Sequence, residues 1–387
     1  ANLFNDYILP ALRPLINDPS DMVKVTFAEY LPLLAYEARR FLEMGEVIKQ
    51  NAWRMNNAAR DHIGNSFFEM DNVGMSSNTI KGTYDADLNT LQDEIASIAQ
   101  FLFVSECAAV KRALLKNIMQ LCVFYGARKA VESVLSIVIT FLNGREWRLR
   151  HAFFEQIVGI SVFVGPVNLN DFILPCIMQA LHDNEEAVVE QVLNGVVALC
   201  ELGMFYKRTL FDLAQRICPL LHHPNTWIRY GAVAFFAAVS KQIGLADTSC
   251  FLMDMLKPHL KSEIFVLSEH TLLQAIKAPI ARHLYDKVLN SSLDSLLSFN
   301  NLKLASIEEK VARWKQVLSL TDLSPEDAEK LDLMKPFIDQ IAISLQSKMY
   351  DSTQGSSSQS EPITGEPIKL NLQLQQYYIP RSEERRV

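Results

Sequence analysis

The chain reads as an all-α protein, a HEAT-type α-solenoid of stacked antiparallel helix pairs. Three observations predict this. Val110-Lys111, Leu149-Arg150, Val188-Val189 and Ile228-Arg229 open the same apolar pattern at intervals of 39, 39 and 40 residues. A period near forty with helical patterning marks HEAT and armadillo arrays. Within each copy the apolar residues recur along one stripe of a 3.6-residue helix. Glycine is scarce, at 14 of 387 residues, while apolar residues make up 49%. That balance suits long helices, where each Gly costs about 1 kcal/mol. A helix pair cannot bury its apolar face alone, so such units stack.

The elements follow from the register, with the first apolar residue of each copy as position zero. At plus four stand Leu114, Phe153, Val192 and Ala232; at plus eight Ile118, Ile157, Val196 and Phe236; at plus eleven Leu121, Ile160, Leu199 and Val239. Plus twelve is always small: Cys122, Ser161, Cys200, Ser240. Gly126, Gly165, Gly203 and Gly244 then supply a left-handed helix end. A fifth copy opens at Val23-Lys24 with Phe27, Leu31 and Leu34, which makes 1–44 the first HEAT unit. Pro19 and Pro224 lie four before position zero, and Pro14 and Pro219 nine before it. Asp18 and Asp183 lie five before it, placed to cap the second helix of a pair.

Val23 and Val110 are 87 residues apart, more than one period. The excess falls on 45–84, which carries Asn51, Asn56, Asn57, Asn65, Asn72 and Asn78 and little periodicity. It is expected to be a disordered, Asn-rich insertion. HEAT repeats then run over 85–278, starting with Leu88, Leu91, Ile95 and Ile98. After Gly244 the pattern degrades. Phe251–Leu260 and Ile264–Lys277 read as one more pair. Degenerate helices over 279–350 follow, at Ile280–Phe299, at Ile307–Leu320 and from Ser324-Pro325-Glu326-Asp327, a helix start with an N-cap, an early Pro and acids at the positive end. Residues 351–387 are Ser-, Gln- and Pro-rich and read as a disordered linker or tail.

Composition excludes several classes. The formal charge of −7 and pI near 5.7 argue against a nucleic-acid ligand, which wants a basic face. Six cysteines without a CxxC pair, most of them inside apolar helical runs, read as buried free thiols of a reducing compartment. Unbroken apolar stretches such as 232–239 fall short of the roughly 20 residues a membrane span needs, and no signal-peptide pattern opens the chain. A helical start at Ala1 suggests a piece of a longer protein. No phosphate-binding glycine loop and no zinc spacing is present, and no carboxylate pair stands out as acid–base machinery. The expectation is a non-enzyme with no cofactor and no metal.

Two places are candidates for recognition. His222-His223, before Pro224, is read as a solvent-facing turn in preference to a metal or pH-sensing site. Trp147, Arg150, Trp227 and Arg229 recur at nearly the same place in two units and are candidate partner-binding residues, since Trp and Arg are enriched at hot spots. The competing reading, preferred on the residues alone, is structural: Trp packs under the turn and Arg bridges to an acid of the next repeat. Glu185-Glu186 reads as favourable charge at a helix N-terminus.

Particular strings go beyond the repeat. LCVFYG (121–126), FLNGREWRLRHAFFEQIVGI (141–160), HHPNTWIRYGAVAF (222–235) and APIARHLYDKVL (278–289) resemble the HEAT-repeat middle region of the regulatory subunit of class III phosphatidylinositol 3-kinase. AEYLPLLAYEARRFLE (28–43) and KGTYDADLNTLQDEI (81–95) resemble its N-terminal repeats and the end of its insertion. The resemblance covers about 1–350. It implies a scaffold that holds the lipid kinase catalytic subunit and a Beclin-type subunit. That complex makes phosphatidylinositol 3-phosphate on endosomal and autophagic membranes, so the implied location is cytoplasmic and peripheral to those membranes. The family's kinase-like domain and propeller are matched by no motif here. The alternative is another HEAT scaffold or transport adaptor, a phosphatase scaffold or karyopherin-like protein.

Overall fold

The computed structural model describes residues 4–62, 77–297, 314 and 324–354. Among these the protein is helical throughout, with one isolated bridge, Leu260 to Ile276, and no strand. Helix pairs follow one another: 4–17 with Asp21–His62, Ser77–Val104 with 108–125, 127–143 with 147–164, 166–180 with Glu186–Glu201, and 207–222 with Thr226–Ile243. We number these units 1 to 5. The second helix of each unit packs on the second helix of the next, forming a continuous row. Side chains one period apart meet across the joints. Thr209 donates to Asn170 at 3.1 Å, Asn225 to Glu186 at 2.7 Å and Gln242 to the Glu201 carbonyl at 3.4 Å.

The register forms the core. All residues at position zero, plus four, plus eight and plus eleven of units 2 to 5 are buried. In unit 1, Phe27 and Leu31 are buried while Val23 and Leu34 are half-buried at the end of the row. The row is tight enough that some helix interiors require Gly. A Cβ on Gly195 would stand 2.7 Å from the Ile157 methyl of unit 3, so Gly195 lets two second helices close on each other.

The turns refine the expectation. All four predicted glycines have positive φ. Gly203 closes a Schellman motif, with Met204 donating to the Leu199 carbonyl and Gly203 to that of Cys200. Gly126, Gly165 and Gly244 instead combine φ near 80° with ψ of 159°, 167° and 171°, a region that only Gly adopts freely. There one residue ends a helix and starts the next. Gly165 also bears on membranes. The run Ile157–Ala180 is long and apolar enough to cross one, with a mean hydropathy of 1.7, unlike the shorter stretches noted above. Gly165 breaks it into the second helix of unit 3 and the first helix of unit 4.

Three expectations are corrected. Residues 45–62 continue the helix Asp21–His62, and Ser77–Val104 begins before residue 85. The Asn-rich stretch is therefore helical on both flanks; 63–76 lies outside the described residues. Glu46, Lys49, Gln50, Ala52 and Arg54 are good helix formers and outweigh the modest cost of Asn. The helix expected over Ile264–Lys277 is only Glu269–Ala275, capped by Ser268, whose hydroxyl accepts the Thr271 N–H. Ile264-Phe265-Val266, poor helix formers, stay irregular. Cys250 is exposed, unlike the buried Cys122, Cys176, Cys200 and Cys218.

Beyond unit 5, Arg282–Leu297 and Pro325–Gln354 are helices. Ser324 accepts the Asp327 N–H at 3.1 Å, as its sequence signature predicts. Of the helix expected at Ile307–Leu320 only Trp314 is described, helical and buried; the rest of it and the tail from 355 lie outside the described residues. The C-terminal helix returns to the turns of units 4 and 5, where Phe337 contacts His182 and His223 and Glu329 pairs with Lys277 at 3.0 Å.

Candidate functional site

The candidate residues lie where a first helix turns into a second, and one device organises these joints in units 1, 2, 4 and 5, unit 3 having Gly144 at that place. The residue five before position zero accepts the backbone N–H two residues on: Asp18 from Ser20, Ser105 from Cys107, Asp183 from Glu185. In unit 5 this place belongs to His223, whose Nδ1 accepts from Asn225 at 3.1 Å. Asn225 is the cap itself and accepts the Trp227 N–H at 2.9 Å. The expected caps Asp18 and Asp183 thus shape the turn just ahead of the helix.

Arg150 completes the joint between units 3 and 4. Its Nε and Nη2 grip both oxygens of Asp183, at 2.6 and 2.8 Å, and its Nη1 donates to the Gly144 carbonyl at 2.7 Å. Both side chains are nearly dry, 4% and 7% exposed. The bridge from Arg to an acid of the next repeat is therefore present. Trp147 is half-buried against the core, edge-on to His151, with the Arg148 guanidinium 5.0 Å from its ring centre.

The equivalent joint of unit 5 is built differently. Trp227 does not pack under the turn: it is 65% exposed, and Tyr230, one turn on, is exposed beside it. Arg229 finds no acid; it donates to the Lys277 carbonyl at 3.2 Å. The four candidates form two clusters, two units apart: Arg150 is buried, Trp147 and Arg229 are half-buried, and Trp227 is largely exposed.

His222 and His223 are buried, which corrects the solvent-facing reading. The ring of His222 stacks on His259 with 2.9 Å between Nε2 and Nδ1, and its carbonyl accepts the Ile280 N–H at 3.0 Å. His223 meets the rings of Tyr285 and Phe337 edge-on. Burial is the main cause that lowers their pKa values, to about 3 for His222 and about 4 for His223 and His259. They are neutral packing groups. Above them Glu186 accepts from Asn225 and pairs with Arg282, tying unit 4 to the helix Arg282–Leu297. A signal for His223 was present in the sequence: it stands five before Ile228, as Asp183 stands five before Val188. Among the described residues no group of three or more His, Cys, Asp or Glu could hold a metal ion. Burial lifts the thiols of Cys122, Cys200 and Cys218 to about 12 and that of Cys176 to about 11, which leaves them poor nucleophiles.

Comparison with known proteins adds to this geometry. The family model described as PIK3R4-like, middle domain, matches residues 1–289. A Dictyostelium discoideum protein named probable serine/threonine-protein kinase vps15 is 36% identical over 327 residues, 78% of this chain and 16% of that protein. The serine/threonine-protein kinase VPS15 of Arabidopsis thaliana is 27% identical over 343 residues, 86% of the chain and 22% of the relative. That of Schizosaccharomyces pombe is 33% identical over 265 residues, 68% and 15% respectively. The chain spans less than a quarter of the length of these relatives, and it matches the middle domain of the family. The stacked helix pairs, the repeat joints and this match agree: the chain belongs to the PIK3R4-like middle-domain family.

Proposed function

We propose that this chain is a non-catalytic helical scaffold, the middle segment of a class III phosphatidylinositol 3-kinase regulatory subunit. The observation that carries the reading is the family match over 1–289, laid on an array in which the Arg150–Asp183, Asn225–Glu186 and Glu186–Arg282 contacts join neighbouring elements. In this role it organises the lipid kinase catalytic subunit and a Beclin-type subunit. The assembly makes phosphatidylinositol 3-phosphate for autophagy and for endosomal or vacuolar sorting. The setting is cytoplasmic and peripheral to those membranes through the complex. The array serves by rigidity: repeat interfaces carry a solenoid's stability and so fix the distance between whatever its ends hold.

Within that role Trp227, with Tyr230 beside it, is the anchor that meets a partner; Trp147, backed by Arg148, is a lesser contact. Arg150 and Arg229 set the angle between units rather than touch a partner. The test is co-purification of the full-length parent with the catalytic and Beclin-type subunits. Trp227→Ala in the parent lowers recovery of a partner at least tenfold without moving its melting midpoint. Equal recovery removes Trp227 from the partner surface. Failure of the unaltered parent to recover either subunit overturns the scaffold reading itself.

A further inference from the structure

The helix Asp21–His62 has 42 residues and Ser77–Val104 has 28, against 16 and 18 for the second helices of units 4 and 5. At 1.5 Å per residue the first is about 63 Å long, more than twice the span of an ordinary unit. Arg39 marks where it passes the end of unit 2. Its Nη1 donates to the carbonyls of Val123 and Phe124, at 2.6 and 3.3 Å, the last turn of the second helix of unit 2. Beyond Arg39 the helix runs on past that turn, with Phe41 still edge-on to the ring of Phe4 and Leu42 still against the core.

On this part Phe41, Met44, Ile48 and Met55 are 48%, 50%, 67% and 74% exposed. Their spacing of three, four and seven residues places them on one face of the helix, with the same seven-residue interval from Phe41 to Ile48 and from Ile48 to Met55. The opposite side, with Leu42 and Glu46, is turned inward. Between Met44 and Met55 the charged residues are Glu46, which is buried, and Lys49 and Arg54, which are exposed. Val47, 56% exposed, widens this seam beside Met44 and Ile48, and the exposed charges along Phe41 to Met55 are Glu43, which pairs with Arg39, and the cations Lys49 and Arg54, in a chain of net charge −7.

We propose that this stripe seats one amphipathic helix of another protein, one with acidic residues beside its own apolar seam. A heptad-like seam fits a helix, whose knobs enter the holes between Phe41, Met44, Ile48 and Met55. Methionine lets such a surface adapt to its guest. Cations on the flanks set the guest's charge, as charges beside the seam do in coiled coils. A second copy of this stripe is the less favoured guest, because the one exposed carboxylate it offers to Lys49 and Arg54, Glu43, is already paired with Arg39. A lipid surface fits less well. Two cations add only about 1 kcal/mol each at an anionic membrane, and the exposed Glu43 beside them is repelled by it. The surface is separate from the Trp227 joint and does not depend on it.

The probes are two labelled 28-residue helical peptides with Leu along the seam, one with Glu on its flanks and one with Lys. Fluorescence anisotropy with the intact chain at low salt gives at least tenfold tighter binding of the Glu peptide. Ile48→Asp lowers that binding at least tenfold with an unchanged melting midpoint. The double variant Lys49→Glu, Arg54→Glu keeps the seam and reverses the preference. Equal binding of both peptides, binding of neither, or indifference to Ile48→Asp overturns the proposal. So does self-association of the unaltered chain that Ile48→Asp abolishes, or sedimentation with phosphatidylserine vesicles lost in that variant.

Discussion

The joints at Asp183 and His223 occupy the same place in successive repeats and solve the same problem with opposite chemistry. Each must accept a backbone N–H two residues ahead of a helix cap, in a place that stacking takes out of water. Unit 4 uses a carboxylate, and unit 3 sends Arg150 to neutralise it through two short hydrogen bonds. Unit 5 uses a neutral ring. The residue of unit 4 in the register of Arg150 is Val189, which has no charge to offer a carboxylate. The other side of His223 is closed by Tyr285 and Phe337 of the C-terminal helices. A buried carboxylate without a cation costs several kcal/mol, whereas a neutral imidazole in an aromatic cage does not. Unit 3 has Gly144 at this place and no side-chain acceptor; where a unit does carry one, the neighbour decides whether that acceptor is charged.

The largest effect comes from breaking what the two joints share. Leu149→Asp and Ile228→Asp each put a charge at position zero, in the core under a joint, and are expected to cost more than about 4 kcal/mol. A loss below about 1 kcal/mol in denaturant melts would mean that the register is misplaced. Next, Arg150→Ala strands the buried Asp183 carboxylate and should cost about 3–5 kcal/mol; adding Asp183→Asn should restore part of that loss. Additive losses in this double-mutant cycle would deny the coupling.

Acid separates the joints by their charge state. The folded pKa values of His222, His223 and His259 lie well below the ordinary 6.5. Between pH 6.5 and about 4 the unfolded chain therefore binds more protons than the folded one. Their contribution is fully present above pH 6.5 and shrinks as pH falls. The slope is up to about 1.4 kcal/mol per pH unit for each histidine. Urea melts at pH 7, 6 and 5 should show it, and His259→Gln should flatten the slope. A slope unchanged by that substitution contradicts the assignment. The smallest effect is at the rim: Trp227→Ala, largely exposed, should shift stability by less than about 0.5 kcal/mol, against a clear loss for the half-buried Trp147→Ala.

Much of this was legible in the sequence, because a repeat prints its register several times. Val110, Leu149, Val188 and Ile228 are buried as their spacing requires, and Gly126, Gly165, Gly203 and Gly244 all take positive φ. Arg150 met an acid of the next unit as the structural reading expected. What the period does not contain stayed hidden. The burial of His222 and His223 depends on His259, Tyr285 and Phe337, which belong to the irregular part of the chain. Trp227 looked equivalent to Trp147, yet its side chain stands clear of the turn. The helix beyond Arg39 was obscured because Asn suggests loops, while local propensity from Glu46 to Arg54 favours helix.

The central claim is that His223 stands in for Asp183 as an uncharged acceptor. Its most direct test is nitrogen-detected NMR of the imidazole rings in the intact chain at pH 6. The account predicts that His223 is neutral, with Nδ1 carrying a lone pair for the Asn225 N–H and the proton on Nε2. A protonated His223 at that pH, or a neutral ring with its proton on Nδ1, would contradict it.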